Sequence, residues 1–365
     1  MPRRLLLGPG PSNVHPRVLR AMSQPLVGHL DPAFLEVLDE VQRRLRGLFG
    51  TENEMTLPLS ATGSGGMEAC FANLLEPGDE IVVGVAGVFG ERMAEVARRI
   101  GARVTRVDTE PGTPLPESRM AEAIERIRPR VVAFVHAETS TGVLQPVDAI
   151  AGAAQRTGSL VVLDCVTSLG GVPVRLDDWG VDAAYSGTQK CLSCPPGLSP
   201  VSFGSRAMAR ARSRERPVQS WYLDVNLLAG YFGKERVYHH TAPVSNVLGL
   251  AEGLRLVDDE GMEERALRHA GASEALIEGL QPLGFTPLVE APFRLPMLNA
   301  MRLPESVLRS GEASLRRALL DRYGIEVGGG LGPLAGKIWR IGLMGENARI
   351  INVEALLFAL RKELP

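Results

Sequence analysis

The chain is poor in lysine: of forty basic residues among 365, only Lys190, Lys234, Lys337 and Lys362 are lysines, the rest being arginine. Any chemistry that needs a side-chain primary amine therefore has four candidates. Cysteine is as scarce. Cys70, Cys165, Cys191 and Cys194 are too few for a disulfide framework in a chain of this length. The pair in Cys191-Leu-Ser-Cys194 lacks the second Cys or His pair that a structural zinc needs, and His239 and His240 are adjacent rather than on one helical face. No metal is expected. Forty basic against forty-two acidic side chains leave a net charge of −2, with no excess to draw nucleic acid or a membrane surface. No apolar run reaches the roughly 18 residues of a membrane span. The opening Met1-Pro-Arg-Arg-Leu-Leu-Leu is basic, then briefly apolar, and Gly8, Pro9, Gly10 and Pro11 cut it off. It reads as an ordered N-terminal arm over 1–15, not as a secretory signal, and a cytoplasmic setting is the expectation.

What is present is a rhythm. From about residue 55, short apolar runs such as Ile81-Val-Val-Gly-Val, Val131-Val-Ala-Phe-Val and Leu160-Val-Val-Leu alternate with helical spacing over 91–100, 119–127 and 150–156. Continuous apolar strands between amphipathic helices predict an α/β fold around a mostly parallel sheet covered on both faces. Such sheets place ligands at the carboxyl ends of their strands. After about residue 245 the rhythm changes to one long helical stretch over 246–280, an apolar run over 295–303, a helix near 314–323 and a strand over 337–343. Gly328, Gly329, Gly330 and Gly332 read as a flexible turn before that strand. The division expected is a large domain over 16–260 and a smaller α+β domain over 261–365.

Four places could carry chemistry. Lys190 ends Tyr185-Ser-Gly-Thr-Gln-Lys190, in a loop at the sheet's carboxyl edge, where an amine could form a Schiff base with a carbonyl cofactor; a solvated surface lysine is the plain alternative. Asp164 ends the strand Leu160-Val-Val-Leu, where a carboxylate could keep a pyridine nitrogen protonated or simply cap the next turn. Ser60-Ala-Thr-Gly-Ser-Gly-Gly between a strand and a helix suits a phosphate cradle, its backbone N–H groups and helix dipole aimed at an anion. It lacks the lysine of a P-loop, and a plain tight turn is the alternative. Arg340 in Trp339-Arg-Ile-Gly-Leu alternates with apolar neighbours and could grip a carboxylate with two parallel bonds or serve a structural ion pair.

Taken together, these segments resemble the alanine–glyoxylate and serine–pyruvate aminotransferases, class V members of the fold-type I pyridoxal-phosphate enzymes. The resemblance runs nearly end to end. It is carried by Leu5-Leu-Leu-Gly-Pro-Gly-Pro-Ser-Asn13, Thr139-Ser-Thr-Gly-Val-Leu-Gln145, Leu163-Asp-Cys-Val-Thr-Ser-Leu-Gly-Gly171 and Tyr185-Ser-Gly-Thr-Gln-Lys190. Tyr238-His-His-Thr-Ala-Pro243, Gly329-Gly-Leu-Gly-Pro333 and Arg340-Ile-Gly-Leu343 continue it. The resemblance implies pyridoxal 5'-phosphate as cofactor, joined to Lys190, with Asp164 on its pyridine nitrogen and Thr62, Gly63, Ser64 and Gln189 on its phosphate. Phe89 stands where the family often has a stacking tryptophan, keeping a π face without the indole N–H. Ser64 stands where animal relatives have histidine, so its backbone N–H is the dependable donor. Thr139 would meet the ring's hydroxyl side and Val166 the opposite face. Tyr238 and Thr241 would reach the phosphate of a neighbouring subunit, implying a homodimer with shared sites. Arg340, with Gly8 and Thr139, would hold the substrate.

The implied reaction is ping-pong: L-alanine or L-serine gives its amino group to the cofactor, and glyoxylate or pyruvate takes it away, with the freed Lys190 amine as general base. Other class V transaminases, acting on ureidoglycine, aminoethylphosphonate or phosphoserine, are the near alternatives. A cysteine desulfurase would need a mobile cysteine downstream of the lysine and a histidine just before it. Here the neighbour is Gln189 and no cysteine follows Cys194.

Overall fold

Strands Val131–Val135 and Leu160–Asp164 are buried at every residue, which a strand survives only with helices on both faces. They form the middle of a seven-stranded sheet in the computed structural model, which describes residues 2–364. Met1 and Pro365, the outer limits of the expected arm and small domain, lie outside the described residues. Across the sheet the order is Met55–Leu59, Ser199–Phe203, Ala183–Tyr185, Leu160–Asp164, Val131–Val135, Glu80–Val85 and Arg103–Asp108. All neighbours pair in parallel except Ser199–Phe203, which runs against both of its own. The helices that cover the sheet show the expected spacing. Val88–Ile100 buries Met93, Ala94 and Ala97, and Glu117–Ile127 buries Met120, Ala123 and Ile124, in each case one stripe of a 3.6-residue repeat.

A second sheet of five strands lies in the order Leu5–Leu7, Ile325–Gly329, Ile338–Gly342, Leu298–Arg302, Thr286–Pro287. It has its own core, with Leu7, Leu319, Trp339, Ile341 and Leu356 packed together. The N-terminal segment is thus a strand of this sheet, pairing Leu5 with Ile325 and Leu7 with Val327. That pairing carries Gly8, Pro9 and Gly10 across to the first sheet's carboxyl edge.

Two local expectations are corrected. The single helical stretch over 246–280 is two helices, Val244–Glu260 and Met262–Leu280, broken at Gly261 with φ +81°, a left-handed conformation that glycine adopts without strain. The glycines before the last strand are not all turn. Gly328 and Gly329 belong to the strand Ile325–Gly329, and a Cβ on Gly328 would sit 2.5 Å from Pro9 Cδ. Its small size serves the close approach of the N-terminal segment.

Candidate active site

Asp164 is the last residue of its strand, in register with Val135 on one side and Tyr185 on the other. That places its carboxylate at the carboxyl edge, 2 % exposed. Val166 N donates to Oδ1 at 2.8 Å, and the Tyr185 hydroxyl donates to Oδ2 at 2.8 Å. Both bonds favour the charged form, yet burial outweighs them and pushes the carboxyl up to about 7. Lys190 lies one crossover further on, 9 % exposed, and its Nζ donates to the Pro9 carbonyl. Burial lowers its amine to about 8. Gly10, at φ +104°, leaves room for it: a Cβ there would meet Nζ at 2.6 Å.

The phosphate-cradle expectation falls at the start of helix Gly63–Leu74, where Thr62 is the N-cap and makes no side-chain capping bond. The first N–H of the helix to find a partner is that of Gly65, which bonds Thr62 O at 2.8 Å. The N–H groups of Gly63 and Ser64 are among the orphans that every helix start leaves, here with the positive end of the dipole behind them. Nearby, Gln189 Oε1 is buried with no hydrogen-bond partner.

These residues face one cavity of about 240 Å³. Thr62, Gly63, Ser64, Phe89, Thr139, Asp164, Val166, Gln189 and Lys190, nine of the residues singled out in the sequence, all line it. Arg340 does not line it, but stands close enough that its charge contributes to lowering Lys190. It is 7 % exposed, with Nε on Gly329 O at 2.8 Å and Nη1 on Thr139 O at 3.3 Å. Nη2 makes no bond among the described residues. Gly8 packs beside that strand, where a Cβ on Gly342 would lie 2.0 Å from Gly8 O. Tyr238 and Thr241 are exposed and lie outside this chain's cavity.

Sequence reasoning missed Met67, Arg92, Val135, Ala137 and Tyr185 in the lining, and the Pro9 carbonyl beneath Lys190. Arg92 had a signal. It follows Phe89 by three residues on one helix face, and its guanidinium lies 5.2 Å from that ring's centre. The Tyr185 hydroxyl had none, because its bond to Asp164 depends on strand register. All four cysteines are buried, and burial pushes Cys191 and Cys194 up to about 12, so neither supplies a thiolate near neutral pH. In one enclosed space the chain offers an amine of lowered basicity, a buried carboxylate and an open helix N-terminus.

Residues 4–336 match the family model for aminotransferase class-V. The chain is 41% identical to the alanine–glyoxylate aminotransferase of Oryctolagus cuniculus, covering 100% of this chain and 93% of that one. It is 38% identical to the (S)-ureidoglycine–glyoxylate transaminase of Bacillus subtilis, covering 100% and 91%. Among solved structures, the alanine–glyoxylate aminotransferase of Nostoc sp. superposes with a TM-score of 0.97 at 49% identity, covering 100% of this chain and 96% of that one.

Proposed function

Since the chain belongs to the class V aminotransferases, we propose that it uses pyridoxal 5'-phosphate to pass an amino group from L-alanine or L-serine to glyoxylate, with pyruvate as a second acceptor. The observation that carries this reading is the meeting of Lys190 and Asp164 on one cavity with an uncapped helix N-terminus. The residues fit the cofactor. The N–H groups of Gly63 and Ser64, the Thr62 and Ser64 hydroxyls and Gln189 suit a phosphate, and Phe89 and Val166 suit the two faces of a ring. The buried Asp164 suits a protonated ring nitrogen, whose positive charge would return its carboxyl to the ionised state.

When bound, pyridoxal phosphate supplies an aldehyde that takes up amino groups and a ring that accepts the electron pair left at a substrate's α-carbon. The protein supplies the rest. Lys190, lowered to about 8, has a useful neutral fraction near pH 7–8, so its Nζ can lift the α-proton of the donor and return it elsewhere. Arg340 is anchored by Gly329 O and Thr139 O, which fixes its plane and leaves Nη2 for a substrate carboxylate. Thr139 and Phe89 line the same cavity. Binding donor and acceptor at the same guanidinium suits a ping-pong cycle. Tyr238 and Thr241, exposed on this chain, would complete the phosphate site of a second copy, so a homodimer is part of the proposal. The cytoplasmic setting is supported by four unpaired, buried cysteines.

A ureidoglycine donor is the competing reading, supported by the Bacillus subtilis relative at 38% identity. Both relatives carry glyoxylate in their names, which supports that acceptor over pyruvate. The test is the absorbance of the purified holoprotein as L-alanine, L-serine or (S)-ureidoglycine is added without keto acid, with Lys190→Ala beside it. A yellow band near ~420 nm that bleaches with L-alanine or L-serine, and does not in Lys190→Ala, is expected from the cofactor's chemistry. Bleaching by ureidoglycine alone would transfer the reading to that donor, and a protein that stays colourless after incubation with pyridoxal phosphate would end it.

A further inference from the structure

Arg265 lies at the start of helix Met262–Leu280, 6 % exposed, and each arm of its guanidinium meets a different segment. Nε donates to Gly170 O at 2.7 Å, in the loop that follows Asp164. Nη2 donates to Cys191 O at 2.6 Å, one residue after Lys190. Nη1 pairs with Glu260 Oε2 at 2.6 Å, at the end of the preceding helix. Gly170 and Cys191 are buried, and no other group among the described residues donates to either carbonyl. None of these atoms lines the cavity.

The anchor behind Arg265 is itself ionised. Burial alone would raise Glu260, but bonds from Arg268 and the charges of Arg265 and Arg268 hold it at about 2. Arg268 differs from Arg265 in what its other arm does. It donates from Nη1 to Gly345 O at 2.9 Å and Ala348 O at 2.8 Å, both in the C-terminal part of the chain. The two arginines share one carboxylate and one helix, and only Arg265 reaches the loops of Lys190 and Asp164.

We infer that Arg265 is a positioning residue: by holding the carbonyls of Gly170 and Cys191 on one planar fork, it sets the separation of the Asp164 carboxylate and the Lys190 amine. The inference rests on the reaction proposed above. A guanidinium can serve two carbonyls at once because its donors lie in a fixed plane, which an ammonium cannot reproduce. Removing it strands two buried acceptors in the two loops where a displacement of about 1 Å can cost on the order of a hundredfold in rate.

The experiment compares wild type, Arg265→Gln, Arg265→Lys and Arg268→Gln. Turnover of the holoprotein is read as kcat and donor KM. In the apoprotein, the pH midpoint of Lys190 acetylation by trace acetic anhydride is followed by mass spectrometry of the Lys190 peptide. Expected for Arg265→Gln is a kcat about a hundredfold lower with donor KM changed less than about threefold, together with a Lys190 midpoint raised toward that of ordinary lysine as the loop admits water. Arg265→Lys should fall between, and it decides the matter if Arg265→Gln does not fold. Arg268→Gln should leave the Lys190 midpoint in place. Wild-type kcat and midpoint in both Arg265 variants, or an equal shift in Arg268→Gln, would overturn the inference. A wild-type protein that neither binds pyridoxal phosphate nor turns over would instead overturn the reaction on which it rests.

Discussion

Asp164 and Lys190 face one cavity and are perturbed in opposite senses by the same burial. Asp164 rises from an ordinary 3.8 to about 7, and Lys190 falls from 10.5 to about 8. For Asp164 the folded apoprotein holds a proton that the unfolded chain releases. Its contribution to stability is therefore present below about pH 4 and is lost as pH rises through about 7. For Lys190 the folded state disfavours the cation, so stability is lost as pH falls from the unfolded value through about 8. Asp164→Asn should remove the first of these. Its apoprotein melting temperature should fall less than wild type's between pH 4 and 7.5, with turnover lowered at least about a hundredfold because an amide cannot hold a protonated ring nitrogen. A wild-type slope in the variant's melting curve would contradict the assigned cause. Both residues were legible in the sequence because their types are rare or costly where they stand: one of four lysines, and an acid closing an apolar strand. The Tyr185 hydroxyl on Asp164 Oδ2 was not, since only the pairing of Leu160–Asp164 with Ala183–Tyr185 brings it there.

The helix Gly63–Leu74 turns an open N-terminus toward the cavity because its first turns press hard on the sheet. A Cβ on Gly66 would meet Ser199 Oγ at 2.1 Å and Tyr185 Cβ at 3.0 Å. Overpacking of this kind typically costs about 1–3 kcal/mol. Gly66→Ala should therefore lower the denaturant midpoint, and by moving Tyr185 it should also weaken pyridoxal-phosphate binding. An unchanged midpoint would mean that the helix has slack the packing does not show. The run of small residues from Gly63 to Gly66 was visible in the sequence, but it could not say whether the smallness served an anion or the neighbouring strands. It serves both. At Gly261 the reverse holds: apolar periodicity continued through a residue whose backbone ends one helix and starts another.

For the molecule as a whole, large apolar side chains stand exposed on two segments, Leu26, Val27 and Leu30 on the first and Trp221, Val237 and Tyr238 on the second. His29 and Tyr238 join these segments, with ring centres 5.3 Å apart. Exposed apolar groups of this kind suit the proposed association with a second copy, and Tyr238 is one of the two residues that would serve it. If sites are shared, mixing Lys190→Ala with Tyr238→Ala under subunit exchange should create one intact site in each hybrid, restoring about a quarter of wild-type activity for random pairing in a two-fold dimer. Activity equal to the sum of the two parents would show that Tyr238 serves its own subunit. Sedimentation of Tyr238→Ala as a monomer would point to the same patch from the side of assembly.

The linear chain determined the alternation of apolar strands and amphipathic helices and the residue types able to hold an amine, an acid and an anion, while the helix start fell inside the small-residue run, at Gly63. Those signals are local: a side-chain period, a run of small residues, a residue that is expensive to place. Tertiary structure alone decided that Leu5–Leu7 joins the C-terminal sheet, that Pro9 O lies under Lys190, and that Arg340 is held by Thr139 O. It also decided that Arg265 ties two loops 74 and 95 residues away. Each of these contacts ends on a backbone carbonyl or a paired strand edge. Every residue carries those groups, so no residue type announces them, and only the folded path of the chain selects which ones meet.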